Sequence, residues 1–462
     1  MSHANLFPLP LVPLEEYLLL DDSPEYPMTF YVELRVEGTV DVAAFRAAVN
    51  SAVARHPLLG AQAIWQRGRA YWIYADPPRP QIIWSTPTKP APLGGWIDLQ
   101  NQLGLRVWVH QEDHHAAIVL QFHHACCDGK GARRFVADLL IAYAQATVPT
   151  SPAPSEDLLE PQRLRSRGDF SASVVAEPRS FVSKLREAWG FHVLKPSPLV
   201  PGKMAAQIPF ASPPLIVRTT FARAETGELR RLARQSNIRI NDLAVALLFQ
   251  TLAGWNREMG DAHGRQRLRI LMPTNLRTPE DRTLPAANRT GFSFLTRQID
   301  QCESWPTLVA GVVEENRRIQ RARLGLDFIH GVALARRVPK LLPTLIKLSG
   351  CLTTAVLTNL GDLGRRFDRL FPSQDGMPVV GNLLLREVGG VPPIRPGTRL
   401  GLGLCWLGGR LTISAQCDPR YFDSDVAQTL LNRYEAAWRT WAELTSTPSL
   451  PQSSAAYDLQ RS

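Results

Sequence analysis

Apolar residues recur along this chain with two periods, and the changes between them mark its elements. Residues 116–122 are apolar apart from Gln121 and rich in Ile, Val and Leu, the pattern of a mostly buried strand in a central sheet. Residues 29–40 alternate as a strand does, and Asp41 then caps a helix whose Val42, Phe45, Val49 and Val53 form one stripe. That helix runs into ARHPLL at 54–59, where Pro57 stops it and Leu58 and Leu59 enter the core. Short strands are predicted around 61–65, 70–74 and 105–110, and the turn at 111–115 holds His114 and His115 in a solvated hairpin. Past the central run the chain breaks at 126–131, where Gly129 and Gly131 are free to take positive φ. It resumes as a helix over 132–146 with Phe135, Leu139 and Tyr143 at helical spacing.

Residues 148–203 change character, with eight prolines interrupting charged and serine-rich sequence, as in a linker that crosses between domains. Within it, 180–195 is basic and amphipathic, with Phe181, Leu185, Trp189 and Val193 on one face, suited to rest on the protein or on anionic lipid. The second half opens with a strand at 215–222 and a helix at 225–235. Asn241 and Asp242 then precede a helix so uniformly apolar that it must be buried. A strand from 268 ends at Arg277, another spans 288–296, and a helix covers 304–323. A basic, interrupted helical region is predicted over 331–355 around Pro339 and Pro343, then a strand at 355–364. A hairpin of 400–406 with 409–417 precedes a closing helix striped by Val426, Leu430, Tyr434, Trp438 and Trp441. Each half repeats the order strand, helix, strands, helix, so the expected fold is α/β with two similar layered domains, 1–147 and 204–450, joined by 148–203 and followed by a tail at 451–462.

Length and charge narrow the field. At 462 residues the chain is too long for one ordinary domain, and Lys and Arg exceed Asp and Glu by 52 − 42 = 10. Such a surface attracts anions: phosphorylated cofactors, acidic carrier proteins or anionic lipid. The cations are scattered rather than gathered into a stripe, so nucleic acid is not an expected partner. Six cysteines without a CxxC pair fit reduced thiols, the N-terminal stretch lacks a basic signal-peptide start, and no run nears the roughly 20 apolar residues of a membrane span. The expected location is cytoplasmic, at most peripheral to a membrane.

The chemistry sits at the end of the central strand, in His123, His124, Asp128 and Gly129. Neighbouring side chains on a strand point to opposite faces, so one histidine works and the other packs. A metal site is the competing reading. It is disfavoured because adjacent histidines diverge, whereas familiar zinc signatures set two histidines at helical spacing.

HHACCDG at 123–129 resembles the HHxxxDG motif of the condensation-domain superfamily of acyltransferases, which includes peptide-synthetase condensation domains, wax-ester synthases, alcohol acyltransferases and the plant BAHD enzymes. The resemblance extends to ARHPLL, to INDLAVA at 240–246, to MPTNLR at 272–277, to TNLG at 358–361 and to the final hairpin and helix, nearly the whole chain. It implies two chloramphenicol-acetyltransferase-like domains, each a mixed sheet with flanking helices, around a central tunnel. His124 is then the general base, His123 orients the loop, Asp128 turns away from substrate to pair with an arginine, and Gly129 lets the backbone pass closely. By position Arg277 is that arginine. Thr358 and Asn359 either present polar groups to the tunnel and an oxyanion or merely cap a strand end; both readings stand. Cys126 and Cys127 fill variable positions, and a ternary mechanism needs no acyl-enzyme.

The implied activity is transfer of an acyl group from a thioester to a hydroxyl or amine acceptor, with no permanently bound cofactor and with acyl-CoA or an acyl carrier protein as co-substrate. The plant DFGWG motif is absent, and no carrier or adenylation domain fits beside two such domains, so the donor is expected in trans. The alternative is a non-catalytic binding or scaffold protein on the same fold. The amphipathic 180–195 and the basic apolar 338–348 point to a lipid substrate or a membrane contact.

Overall fold

Two mixed sheets, each with its own apolar core, carry the chain. The computed structural model describes residues 5–148, 158–171, 194–202, 213–260 and 265–446; most of the amphipathic 180–195 segment and the 451–462 tail lie outside the described residues. The first sheet orders its seven strands Ser373–Gln374, Met377–Val380, Leu383–Val391, Thr29–Glu37, His115–His123, Leu105–Glu112 and Gln81–Ser85, all antiparallel except the last pair. The second orders six: Thr290–Gln298, Arg267–Asn275, Ala355–Asp362, Leu400–Leu407, Arg410–Cys417 and Leu215–Phe221. Here Ala355–Asp362 runs parallel to both neighbours. A three-stranded ribbon of Leu9–Pro10, Arg69–Tyr74 and Ala61–Gln66 stands beside them.

The hydrophobic pattern accounts for where the cores lie. Ile118, Leu120 and Phe122 from the central strand meet Val49 and Val53 of the helix Val42–Arg55 and Phe135 and Leu139 of the helix Gly129–Thr147, all buried in the first core. In the second, the helix Ile240–Met259 buries Leu243 through Phe249 without a break against Ile270, Ile413 and Trp438, as its all-round apolarity requires.

Three features depart from the sequence reading. The helix after the motif starts at Gly129, three residues early, and neither Gly129 nor Gly131 has positive φ. Their small size serves close approach instead: a Cβ on Gly131 would stand 3.1 Å from the Ala287 nitrogen, and one on Gly129 would stand 3.0 Å from Leu360. Asn241 and Asp242 sit inside their helix, which Arg239 precedes, whereas the interrupted helical region expected at 331–355 is present as Gly325–Ala335 and Leu341–Leu348, broken at Pro339 and with Pro343 inside the second helix. Finally, Leu383–Val391 crosses to pair with Thr29–Glu37 in the first sheet. That crossing brings the sheets into backbone contact, since a Cβ on Gly403 would overlap the Gly390 carbonyl.

The Pro-rich segment is partly anchored. Pro161–Ser166 forms a short 3-10 helix, and the buried Arg167 grips Glu15 through two bonds of 2.7 Å, while Trp72 donates to the same carboxylate at 2.9 Å.

Candidate active site

The central strand delivers the two histidines to a corner where its ladder ends. His123 still pairs with Thr29, and its N–H donates to the Gly104 carbonyl; His124 N–H donates to the Met28 carbonyl. His123 is fully buried. Its Nδ1 accepts from the Ala125 N–H at 3.1 Å, which leaves the proton on Nε2, facing Asp22 Oδ2 at 3.4 Å. His124 takes the other face. Its ring stands edge-on to Phe30 at 5.2 Å, and its buried Nδ1 has no hydrogen-bond partner among the described residues. Burial holds the His124 imidazole below the ordinary histidine range, so it is neutral near pH 7.

Asp128 is fully engaged elsewhere. It caps the helix Gly129–Thr147, its Oδ1 accepting from Gly131 N–H at 2.8 Å. Its Oδ2 accepts from Arg289 N–H at 2.8 Å and from Arg277 Nη1 at 2.7 Å. Burial raises the carboxyl, but the Arg277 guanidinium and the N–H donors outweigh it and hold Asp128 below the usual carboxylate range.

Sequence reasoning missed the strap that closes this corner, Ala286 to Arg289. Asn288 is buried, and its Nδ2 donates at 2.8 Å to the carbonyls of both His124 and Ala125, pinning the turn from behind. Ala287 receives Arg277 Nη2 at 3.0 Å, and Ala286 N–H donates to His56 Nδ1 at 2.9 Å. His56 Nε2 in turn meets Asp138 at 3.2 Å, where Arg55 also donates at 2.9 Å. Desolvation lowers the His56 pKa against the pull of Asp138, keeping its ring neutral with one nitrogen accepting and one donating. The histidine of ARHPLL thus braces the strap. The only sequence signal was the polar Asn-Arg pair opening the 288–296 strand.

His124 opens on a cavity of about 90 Å³ whose lining includes Gly129, Lys130, Arg277, Thr358 and Asn359, so the structure brings the sequence-predicted residues other than His123 to one place. Thr358 and Asn359 lie on Ala355–Asp362 beside a bulge; Asn359 Oδ1 accepts from Gly361 N–H at 2.8 Å and so shapes the turn. The Thr358 hydroxyl has no hydrogen-bond partner among the described residues. Cys126 and Cys127 are buried, and burial pushes both thiols well above the ordinary range, away from nucleophilic use. Among the described residues no three His, Cys, Asp or Glu converge on a metal-sized point, and no helix is long and apolar enough to cross a membrane.

A second cavity, about 810 Å³, lies further along the same edge strands. Thr290 lines the small cavity; Phe292 and Phe294 line the large one, with Phe328, Leu342 and Ile346 opposite. The close packing of Gly325 on Gly291 marks the boundary along the strand.

No protein-family model matches the chain. Two curated relatives, the uncharacterized proteins MT2362 and Rv2305 of two Mycobacterium tuberculosis strains, are each 26% identical over 374 residues, covering 76% of this chain and 83% of theirs. Among solved structures, the TRI3 trichothecene 15-O-acetyltransferase of Fusarium sporotrichioides superposes with a TM-score of 0.67 at 11% identity, over 93% of this chain and 94% of its own. Polyketide synthase associated protein 5 of Mycobacterium tuberculosis gives 0.63 at 15%, over 94% and 98%. The starter condensation domain of rhizomide synthetase RzmA, solved with C8-CoA, gives 0.62 at 15%, over 96% and 97%.

Proposed function

We propose that this chain, which has the two-lobed fold of the chloramphenicol-acetyltransferase-like condensation superfamily, transfers an acyl group from a thioester to a hydroxyl or amine, with His124 as general base. The observation that carries the reading is the contrast inside the motif. Asp128 spends both oxygens on Arg277, Arg289 and Gly131, whereas His124 keeps a neutral ring at the cavity with no competing partner on its buried nitrogen.

In this mechanism the acceptor O–H or N–H gives its proton to His124 as its oxygen or nitrogen attacks the thioester carbonyl. A C–O or C–N bond forms, the C–S bond breaks, and His124 returns the proton to the departing thiolate. A neutral imidazole suits both halves because it accepts and returns a proton near pH 7. Thr358, whose hydroxyl has no partner among the described residues, is the group assigned to donate to the tetrahedral oxyanion; Asn359 gives its Oδ1 to the bulge, and its Nδ2 donates to Asn241 Oδ1 at 3.4 Å. His123 orients the turn, and Asp128 with Arg277 holds it. Acyl-CoA or a carrier-bound acyl group is the donor, with Lys130 and Arg277 at the cavity as anchors for phosphate. The large cavity suits a substrate with an extended apolar chain.

Thiol release tests this, with acyl-CoA donors from acetyl to palmitoyl against a panel of alcohols and amines. The expected result is acceptor-dependent release that favours longer chains. Release without any acceptor requirement, or silence across the panel with both CoA and carrier-bound donors, would count against an acyltransferase.

A further inference from the structure

The paired helices Gly325–Ala335 and Leu341–Leu348 roof the large cavity, and their outer side is unlike the rest of the surface. Leu334, Val338, Leu345 and Leu348 are 65%, 52%, 44% and 70% exposed. Leu334 and Leu345 also line the cavity, so the apolar outside and the apolar inside are continuous through this roof. Past Asp327, an exposed carboxylate in the first turn of the first helix, the charge is one-sided. Between Phe328 and Gly361 the chain has no Asp or Glu, and Arg337, Lys340 and Lys347 are exposed with no carboxylate partner among the described residues. Elsewhere some exposed arginines are matched, as in Arg231 with Glu228 and Arg439 with Glu225. Only Arg336, at the inner edge, is paired, with Glu16 at 3.1 Å.

We propose that this helical hairpin is a docking face for an anionic lipid bilayer, seated so that the 810 Å³ cavity opens toward the membrane. Leucines flanked by unpaired cations on short helices are the chemistry that settles in the headgroup layer: the apolar side chains enter the acyl boundary and the cations meet lipid phosphate. A protein partner would bring its own carboxylates to the cations at fixed positions, whereas lysines on flexible stems beside a proline turn suit a mobile array of headgroups. An amphiphile leaving the bilayer would reach the cavity past Leu334 and Leu345 without its chain crossing water.

Vesicle co-sedimentation of the full chain tests the proposal without reference to catalysis, and His124→Ala is expected to bind as wild type does. Vesicles of phosphatidylcholine with one-third phosphatidylglycerol are expected to retain the protein, pure phosphatidylcholine to retain it at least about tenfold less, and high salt to release it. Lys340→Glu/Lys347→Glu and Leu345→Asp/Leu348→Asp should each cut the anionic partition at least about tenfold. Leu444→Asp, an exposed leucine on the closing helix, should leave it intact, with all variants melting as wild type. No retention on anionic vesicles, or full retention by both hairpin variants, would overturn the proposal. So would a lipid-free dimer that the leucine variant converts to monomer, which would assign the face to a second copy of the chain.

Discussion

Two histidine corners flank the Ala286–Arg289 strap, and they differ in one respect that separates support from chemistry. At the ARHPLL corner, His56 is sealed and saturated: Nδ1 takes the Ala286 N–H, Nε2 meets Asp138, and Asp138 also takes Arg55. At the HHACCDG corner, the backbone around His124 is held as tightly, by Met28 and Asn288, while the ring itself is left without a partner at Nδ1. Burial lowers the pKa of both imidazoles, so protonation state does not distinguish them. What distinguishes them is that the His124 ring lines a cavity and leaves its buried Nδ1 unpartnered, whereas His56 spends both nitrogens and lines neither cavity.

The comparison breaks most sharply at the rings. His124→Ala is expected to lower acceptor-dependent turnover by roughly 10²- to 10⁴-fold with little change in thermal midpoint, read by thiol release and calorimetry on one preparation. Arg277→Ala should cost about 3–5 kcal/mol of stability by stranding the buried Asp128 carboxylate, and Asp128→Asn/Arg277→Ala should recover part of it in denaturant titrations. If Thr358 donates to the oxyanion, Thr358→Val lowers kcat by up to about 10²- to 10³-fold with KM near wild type. Asn288→Ala should cost about 1–3 kcal/mol and loosen the turn.

Acidity gives the smallest signal. The folded pKa of His56 lies below its unfolded value, so the unfolded chain binds more protons. Stability from this site is present above about pH 6.5 and is lost as pH falls below it. His56→Gln should flatten that slope in midpoints measured across pH 5 to pH 7.

How far these corners were legible in the sequence follows from how local their signals are. The strand-histidine-turn-helix plan is written in consecutive residues, and its apolar run and motif could be read directly. MPTNLR placed Arg277 at a strand end, and the structure sets it 2.7 Å from Asp128. The positive φ expected at Gly129 and Gly131 is absent, because a helix start and a turn tolerate the same residues; the close passage that the resemblance implied for Gly129 has Leu360 as its neighbour, and only three dimensions show Ala287 pressing on Gly131. Asn288 and the Leu383–Val391 crossing left no periodic trace. A single amide bonding a turn over a hundred residues away, or a strand pairing across lobes, has no spacing for a pattern to register. Arg167, inside a segment composed like a linker, is hidden in the same way by its distant partner Glu15.

The account rests on His124 being the unspent group. Its most direct test is the acid limb of kcat/KM for acceptor-dependent thiol release. Burial of His124 predicts activity that holds down to about pH 6.5 and falls only below it, with the residual rate of His124→Ala showing no such limb. A limb that persists in His124→Ala, or turnover equal to wild type, would contradict it and move the base to another residue.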